Sequence, residues 1–147
     1  MAASRHAIWD LLNRPGSAAD HRSDVISSFV APGTGPGVGE VQIVVSGVPG
    51  TAQVTVSSIV IEEFRPPHFV RFLGLTDDAM SISISEIGLT QRDSDTLVDY
   101  RIENRSVPRA GVRTAKVASE RTLHEFMIRE LFAVASVLGA EISVTER

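Results

Sequence analysis

The sequence has no cysteine, which excludes disulfides, thiol catalysis and Cys-ligated metals. It also lacks any run of lysines or arginines, and 14 basic against 18 acidic residues leave a formal net charge of -4. Such a surface does not attract phosphate backbones, so nucleic acid is not an expected partner. The longest apolar-rich stretch, Leu131 to Leu138, is far short of the roughly 20 residues a membrane-spanning helix needs. The opening residues, Met1 to Trp9, lack the apolar core of a signal peptide. These absences together read as a soluble, cytoplasmic chain with no integral membrane segment. No internal repeat or low-complexity tract stands out beyond one glycine cluster.

What remains is ordinary for a globular protein. The 147 residues, 43% hydrophobic and 22% charged, suit one domain with a real core. Ser4 can cap a short helix in which Ala7, Ile8, Leu11 and Leu12 recur at helical spacing, with Trp9 on a flank. Pro15-Gly16 ends it, and Ser17 to Arg22 reads as a second short helix or turn.

From Asp24 onward the chain is strand-forming. Val25–Val30 comes first, then a break at Pro32 to Gly39, then Gly39 to Ser46 with Val41, Ile43 and Val45 on one face. Gln53 to Phe64 is closed by Arg65-Pro66-Pro67, and His68 to Leu75 follows. In Met80 to Ser85 the residues Met80, Ile82 and Ile84 alternate with serines, which implies one buried and one wet face. After a turn at Asp93-Ser94-Asp95, Thr96 to Glu103 places Val98, Tyr100 and Ile102 on one side. Short turns between consecutive strands predict an antiparallel meander. Thr114 to Leu138 then reads as a single helix, on the order of 37 Å long at about 1.5 Å per residue. Leu123, Met127, Leu131, Val134 and Leu138 form its apolar stripe, and Gly139 suits its C-terminus.

This order resembles the superfamily of START domains, plant pollen allergens and bacterial polyketide cyclase-like proteins. The first-helix stretch from Ala3 to Pro15 is similar to the family's pattern of a Trp before two aliphatics and a proline loop. Val60 to Val70 resembles its strand, proline bend and strand, and Gly33 to Gly39 its glycine-rich hairpin. The resemblance implies a single α+β helix-grip domain over 1–147: a curved antiparallel sheet wrapped around a long C-terminal helix, with two short N-terminal helices. The family also has a strand before the first helix. Here none is seen, whereas Glu141 to Arg147 reads as a strand. Residues 139–147 could therefore supply an extra strand in its place, pair in reverse, fill a neighbour's sheet edge, or simply fray.

A sheet and helix so arranged enclose a cavity for a small hydrophobic ligand, such as a lipid, a polyketide-like compound or an aromatic metabolite. With Met127 centring the stripe, Lys116 and Glu120 fall in line with it, and His124 and Glu130 about 60° to either side at roughly 100° per residue. A greasy C-terminal half and a polar N-terminal half suit an elongated ligand with one polar end. Lys116 and Glu120 could equally be a surface pair. His124 could be a general base or a hydrogen-bonded histidine at a core margin. Glu130 either finds an arginine, with Arg71 and Arg101 as candidates, or sits exposed. If the Met80, Ile82, Ile84 face is concave, Glu86 points into the cavity near its rim; otherwise it is a strand-end charge in water. Tyr100 either caps the core or meets the ligand. The expected ligand-binding set is thus Met80, Ile82, Ile84, Glu86, Tyr100, Lys116, Glu120, Leu123, His124, Met127 and Leu131. His124 and Glu86 are the catalytic candidates should the cavity serve a cyclase or dehydratase reaction.

No cofactor is implied. The four histidines, His6, His21, His68 and His124, share no ligand spacing, so no metal site is expected. The glycine run at 33–39 precedes a strand instead of a helix N-terminus, so it reads as a hairpin loop, one that could cover a cavity mouth, and not as a phosphate cradle. Ile59-Val60-Ile61 is apolar on both faces, so one face needs a cover. An interaction protein, or a homodimer through the sheet edge or the C-terminal strand, would provide it.

Overall fold

The Ser4 hydroxyl accepts the Ala7 N–H at 3.2 Å and so starts α1 (Arg5–Asn13), as a capping serine does by satisfying an otherwise unpaired donor. The computed structural model describes residues 1–14, 16–47, 51–76, 81–106 and 120–144, except for the side chains of His21, Thr76, Ser81, Ser106, residues 120–124 and Phe126. α1 buries Ile8 and Trp9. A single turn, α2 (Ala18–His21), follows, tied back to α1 by the buried Ser17 hydroxyl, which donates to the Leu11 carbonyl at 2.7 Å.

Six strands come next: β1 (Val25–Val30), β2 (Val41–Gly47), β3 (Val54–Arg65), β4 (Phe69–Thr76), β5 (Ser81–Arg92) and β6 (Asp95–Ser106). They pair in chain order, each antiparallel to the next, which is the expected meander. β5 runs on past Ser85 to Arg92, where a hairpin turn with Asp93 at φ 50° leads into β6. The β3–β4 turn is closed by the His68 N–H, which donates to the Arg65 carbonyl at 2.7 Å. A register shift between Ile61 and Glu63 is a β-bulge that breaks strict alternation. It lets both Ile61 and Phe64 reach the core, where Phe64 meets the Trp9 ring at 5.4 Å between centroids.

The last helix, α3 (Glu120–Leu138), buries Met127, Leu131, Val134 and Ala135, so the apolar stripe faces inward as its spacing predicts. The expected start at Thr114 lies outside the described residues. Gly139, at φ 59°, donates its N–H to Ser136, and the Ala140 N–H reaches Ala135 at 2.9 Å. This paired arrangement closes a helix end when the residue after it adopts a left-handed conformation. The core cluster joins Ile8 and Trp9 of α1, Met127 and Val134 of α3, and the inward residues Ile61, Val70, Ile87 and Leu89 of the sheet.

The expected C-terminal strand does not form over 141–144. The start of β6 is already occupied: Met1 and Thr96 exchange two main-chain bonds at 2.9 and 3.0 Å, and Thr96 Oγ1 donates to the Ala3 carbonyl. The tail meets this segment instead, through the Ala2 N–H and the Glu141 carbonyl at 2.8 Å.

Val134 and Val137 are chemically identical and one turn apart, yet they are 0% and 54% exposed. Val134→Ala should cost about 2 kcal/mol, two buried methyl groups plus the void they leave. Val137→Ala should stay within about 0.5 kcal/mol. Urea denaturation of the two variants reads the orientation of α3 directly.

Candidate functional site

The side chains on the inner face of the sheet change size along its length. At one end Ile61, Val70, Ile87 and Leu89 are large and meet Trp9, Met127 and Val134. Toward the other end the inward positions are Ser46, Ser57, Gly74, Ser83 and Ser85. These are too small to reach across, and a cavity of about 250 Å³ results. Gly74 matters here because a Cβ on it would collide with the Ser83 hydroxyl on the paired strand. Val44, Ile59, Phe72, Ile102 and Met127 supply apolar wall, and Leu12, Asn13, Ser17, Ala18 and Arg22 close the side formed by α1 and α2. The cavity is thus mainly aliphatic with an array of hydroxyls along one wall.

The serines of β5 therefore point in, and the aliphatic face points out. Ile84 and Glu86 lie on the outer surface, in a group with Arg71, Arg101 and Glu103, and Ile82 shares their face by alternation. This overturns the expectation that Ile82, Ile84 and Glu86 line the hollow. Alternation distinguishes two faces but does not say which is inward, and a hollow needs the smaller set. Ile84 is buried all the same, because same-face neighbours such as Leu73 on the paired strand cover it. Glu86 Oε1 lies 3.7 Å from Arg71 Nη1. Arg71 Nε sits 3.2 Å from Glu62 Oε2, close enough for an ion pair but without the alignment of a hydrogen bond. Glu86 is accordingly no base for the cavity, and Arg71 and Arg101 belong to the outer face, away from Glu130.

Among the other expected residues, Met127 lines the cavity. Leu131 is buried on the α3 stripe, and Tyr100 packs against the core cluster beside Val98 and Ile102. Glu130 is half-buried in the lining, which it shares with Arg22. Glu120, Leu123 and His124 lie on α3, but their side chains, together with Met80 and Lys116 entirely, fall outside the described residues.

Sequence reasoning missed two polar groups. Arg22 forms a two-pronged pair with Asp24, Nε to Oδ1 at 3.2 Å and Nη2 to Oδ2 at 2.6 Å. This hydrogen bonding holds the Asp24 carboxyl below its ordinary value of 3.8; partial burial opposes the effect and the Arg22 charge reinforces it. The second is Glu40, only 3% exposed, whose Oε1 accepts from Gln42 Nε2 at 2.6 Å. Gln42 lines the cavity. The available signal was the parity of β2, in which Gln42, Val44 and Ser46 oppose Val41, Ile43 and Val45.

The glycine loop is a hairpin connection. Gly33, Gly37 and Gly39 have φ of 85°, 101° and 87°, values open to glycine at no steric cost. The Gly39, Glu40 and Val41 N–H groups are committed to Ile61, Gly37 and Thr34. The loop sits beside Phe64 at the filled end, and none of its residues lines the cavity. Among the described residues no group of three or more His, Asp or Glu is placed to hold a metal, and no helix is long and apolar enough to cross a membrane.

The comparisons with known proteins agree with this geometry at the level of fold. The chain is similar to the crystal structure of Ara h 8.0201, a Bet v 1-like member of the START superfamily, with TM-score 0.70 and 9% identity over 94% of this chain and 89% of that one. A Chromobacterium violaceum protein gives TM-score 0.67 and 13% identity over 96% and 94% of the two chains. A Rhodobacter sphaeroides protein gives 0.67 and 14% over 95% and 87%. The chain thus has the α+β helix-grip fold. No family model and no curated protein matches the sequence.

Because the folded-state value of Asp24 lies below the unfolded one, its contribution to stability is complete above pH 3.8. It drains away as pH falls through the folded value. The urea midpoint should therefore drop between pH 5 and pH 2 with a smaller slope in Asp24→Asn than in the parent chain, a difference that denaturation at several acid pH values will measure.

Proposed function

We propose that this chain is a cytoplasmic binding protein that takes a small, largely apolar molecule into the cavity between its sheet and α3. The observation that carries this reading is the run of serines and Gly74 on the inner face, which keeps about 250 Å³ open where well-packed interiors are filled. The volume is at the small end of ligand pockets, which run about 300–1,000 Å³, and suits a compact lipid, polyketide-like or aromatic metabolite. The same fold hosts many functions, so the reading rests on the cavity and not on the likeness. An enzymatic use of the cavity, as a cyclase or dehydratase, would leave His124 as its base candidate, since Glu86 faces outward.

A second reading has its own support. On the outer face of β1 to β3, Ile26, Phe29, Val54 and Val56 are all exposed, and β1 is an edge strand. Their uncharged side chains can meet the same patch of a second copy with no like-charge penalty, so a homodimer through this edge would cover them.

For ligand binding, thermal unfolding against fatty acids, flavonoids and aromatic polyketides should show a rise for the fitting class. At about 100 times Kd the rise is roughly 5–10 °C for a chain of this size. Ser57→Leu, which fills the hollow, should fold and lose that rise; a variant that keeps it would place the ligand elsewhere. For the dimer, light scattering should give the mass of two chains in the parent and of one in Phe29→Asp.

A further inference from the structure

Glu40 is the only buried charged residue among the described ones, and the cavity reading leaves it without a role. Its main chain is held on both sides: its N–H donates to the Gly37 carbonyl and its carbonyl accepts from the Ile61 N–H, each at 3.0 Å. Its carboxylate is thus presented from a fixed point to Gln42, two residues along β2.

The Gln42 amide nitrogen donates to Glu40 Oε1 at 2.6 Å, and this bond fixes the amide orientation. The Gln42 carbonyl oxygen must point away from Glu40, and Gln42 belongs to the cavity wall, between Val44 beside it and Ile59 on the paired strand. A serine hydroxyl can turn to donate or accept as its guest requires, so Ser57, Ser83 and Ser85 give little discrimination. Gln42, held by Glu40, cannot turn in that way.

We propose that Gln42, oriented by Glu40, is the specificity-determining residue of the cavity and selects neutral apolar ligands carrying a hydroxyl or N–H donor over equally shaped ligands without one. Glu40 is a positioning residue in this scheme. The inference rests on the cavity being the binding site.

The test uses the full chain and three matched probes: 2-naphthol, 2-methylnaphthalene and 2-methoxynaphthalene, titrated by calorimetry. The parent chain should bind 2-naphthol about fivefold more tightly than 2-methylnaphthalene, the effect of one net hydrogen bond. Gln42→Met keeps length and volume, and should bring that ratio to about one while still binding 2-methylnaphthalene. Glu40→Gln provides an amide that can donate to the Gln42 oxygen, freeing the Gln42 N–H₂ to face the hollow. It should lower the 2-naphthol preference and strengthen 2-methoxynaphthalene, an acceptor, relative to 2-methylnaphthalene. That shift separates an orienting role from a merely structural one. A parent chain that binds the probes without preference, or a preference that survives both substitutions, overturns the role of Gln42 and leaves the binding cavity standing. No binding of any probe to the parent chain overturns both.

Discussion

A curved sheet holds space open against a helix only where its inward side chains are too short to meet it. The proposed binding site depends on that constraint. At the filled end the contact is complete, with Trp9, Phe64 and Met127 packed around Ile61, Val70 and Ile87. At the hollow end serines and Gly74 stop short of α3. The filled end supplies the stability that lets the other end forgo it, since unfilled space loses dispersion contacts outright. Two local devices set the boundary. The bulge at Ile61 and Glu63 turns Phe64 inward to Trp9, and Gly74 gives the Ser83 hydroxyl its room.

The element order was legible in the sequence because its signals are local. Ser4, the Pro66-Pro67 turn, Asp93-Ser94 and Gly139 each act within a few residues, and the structure bears them out. The orientation of α3 was legible too, because Met127, Leu131 and Val134 of its apolar stripe are buried as the spacing predicts. The strands were another matter. β2 and β5 carry aliphatic residues on one face and smaller or polar ones on the other, and the usual rule turns the aliphatic face inward. Here that rule fails for Ile82 and Ile84, and equally for Val41, Ile43 and Val45. Which face is concave follows from curvature and from what α3 and α1 bring to it, and neither is a local property. Hence the fold could be read almost in full while the site residues on β5 came out on the wrong side.

The inversion also redistributes charge. Arg71 and Arg101 are taken up on the outer surface with Glu62, Glu86 and Glu103. These pairs are partly exposed and contribute little to stability. They do keep three carboxylates and two guanidinium groups off the inner face. Among the described residues, the charges that line the cavity are Arg22 and Glu130, and Arg22 is engaged by Asp24. The rest of the described wall is aliphatic carbon, hydroxyl and amide, against which a charged group would leave its hydration for few compensating partners.

Within the described wall the uncharged polar groups are of unequal selectivity. Rotating hydroxyls lower the cost of desolvating a guest's polar atoms wherever they fall, which favours affinity across many shapes. A fixed amide does the opposite, since a mismatched guest buries its oxygen without a donor. Discrimination in such a cavity therefore concentrates where rotation is prevented. On β2 that point is Gln42, and what prevents the rotation is a carboxylate buried one strand position beyond the cavity wall. Under the proposed role of Gln42, the hairpin that positions Glu40, held by main-chain bonds to β3, would bear on recognition although it lines no part of the hollow.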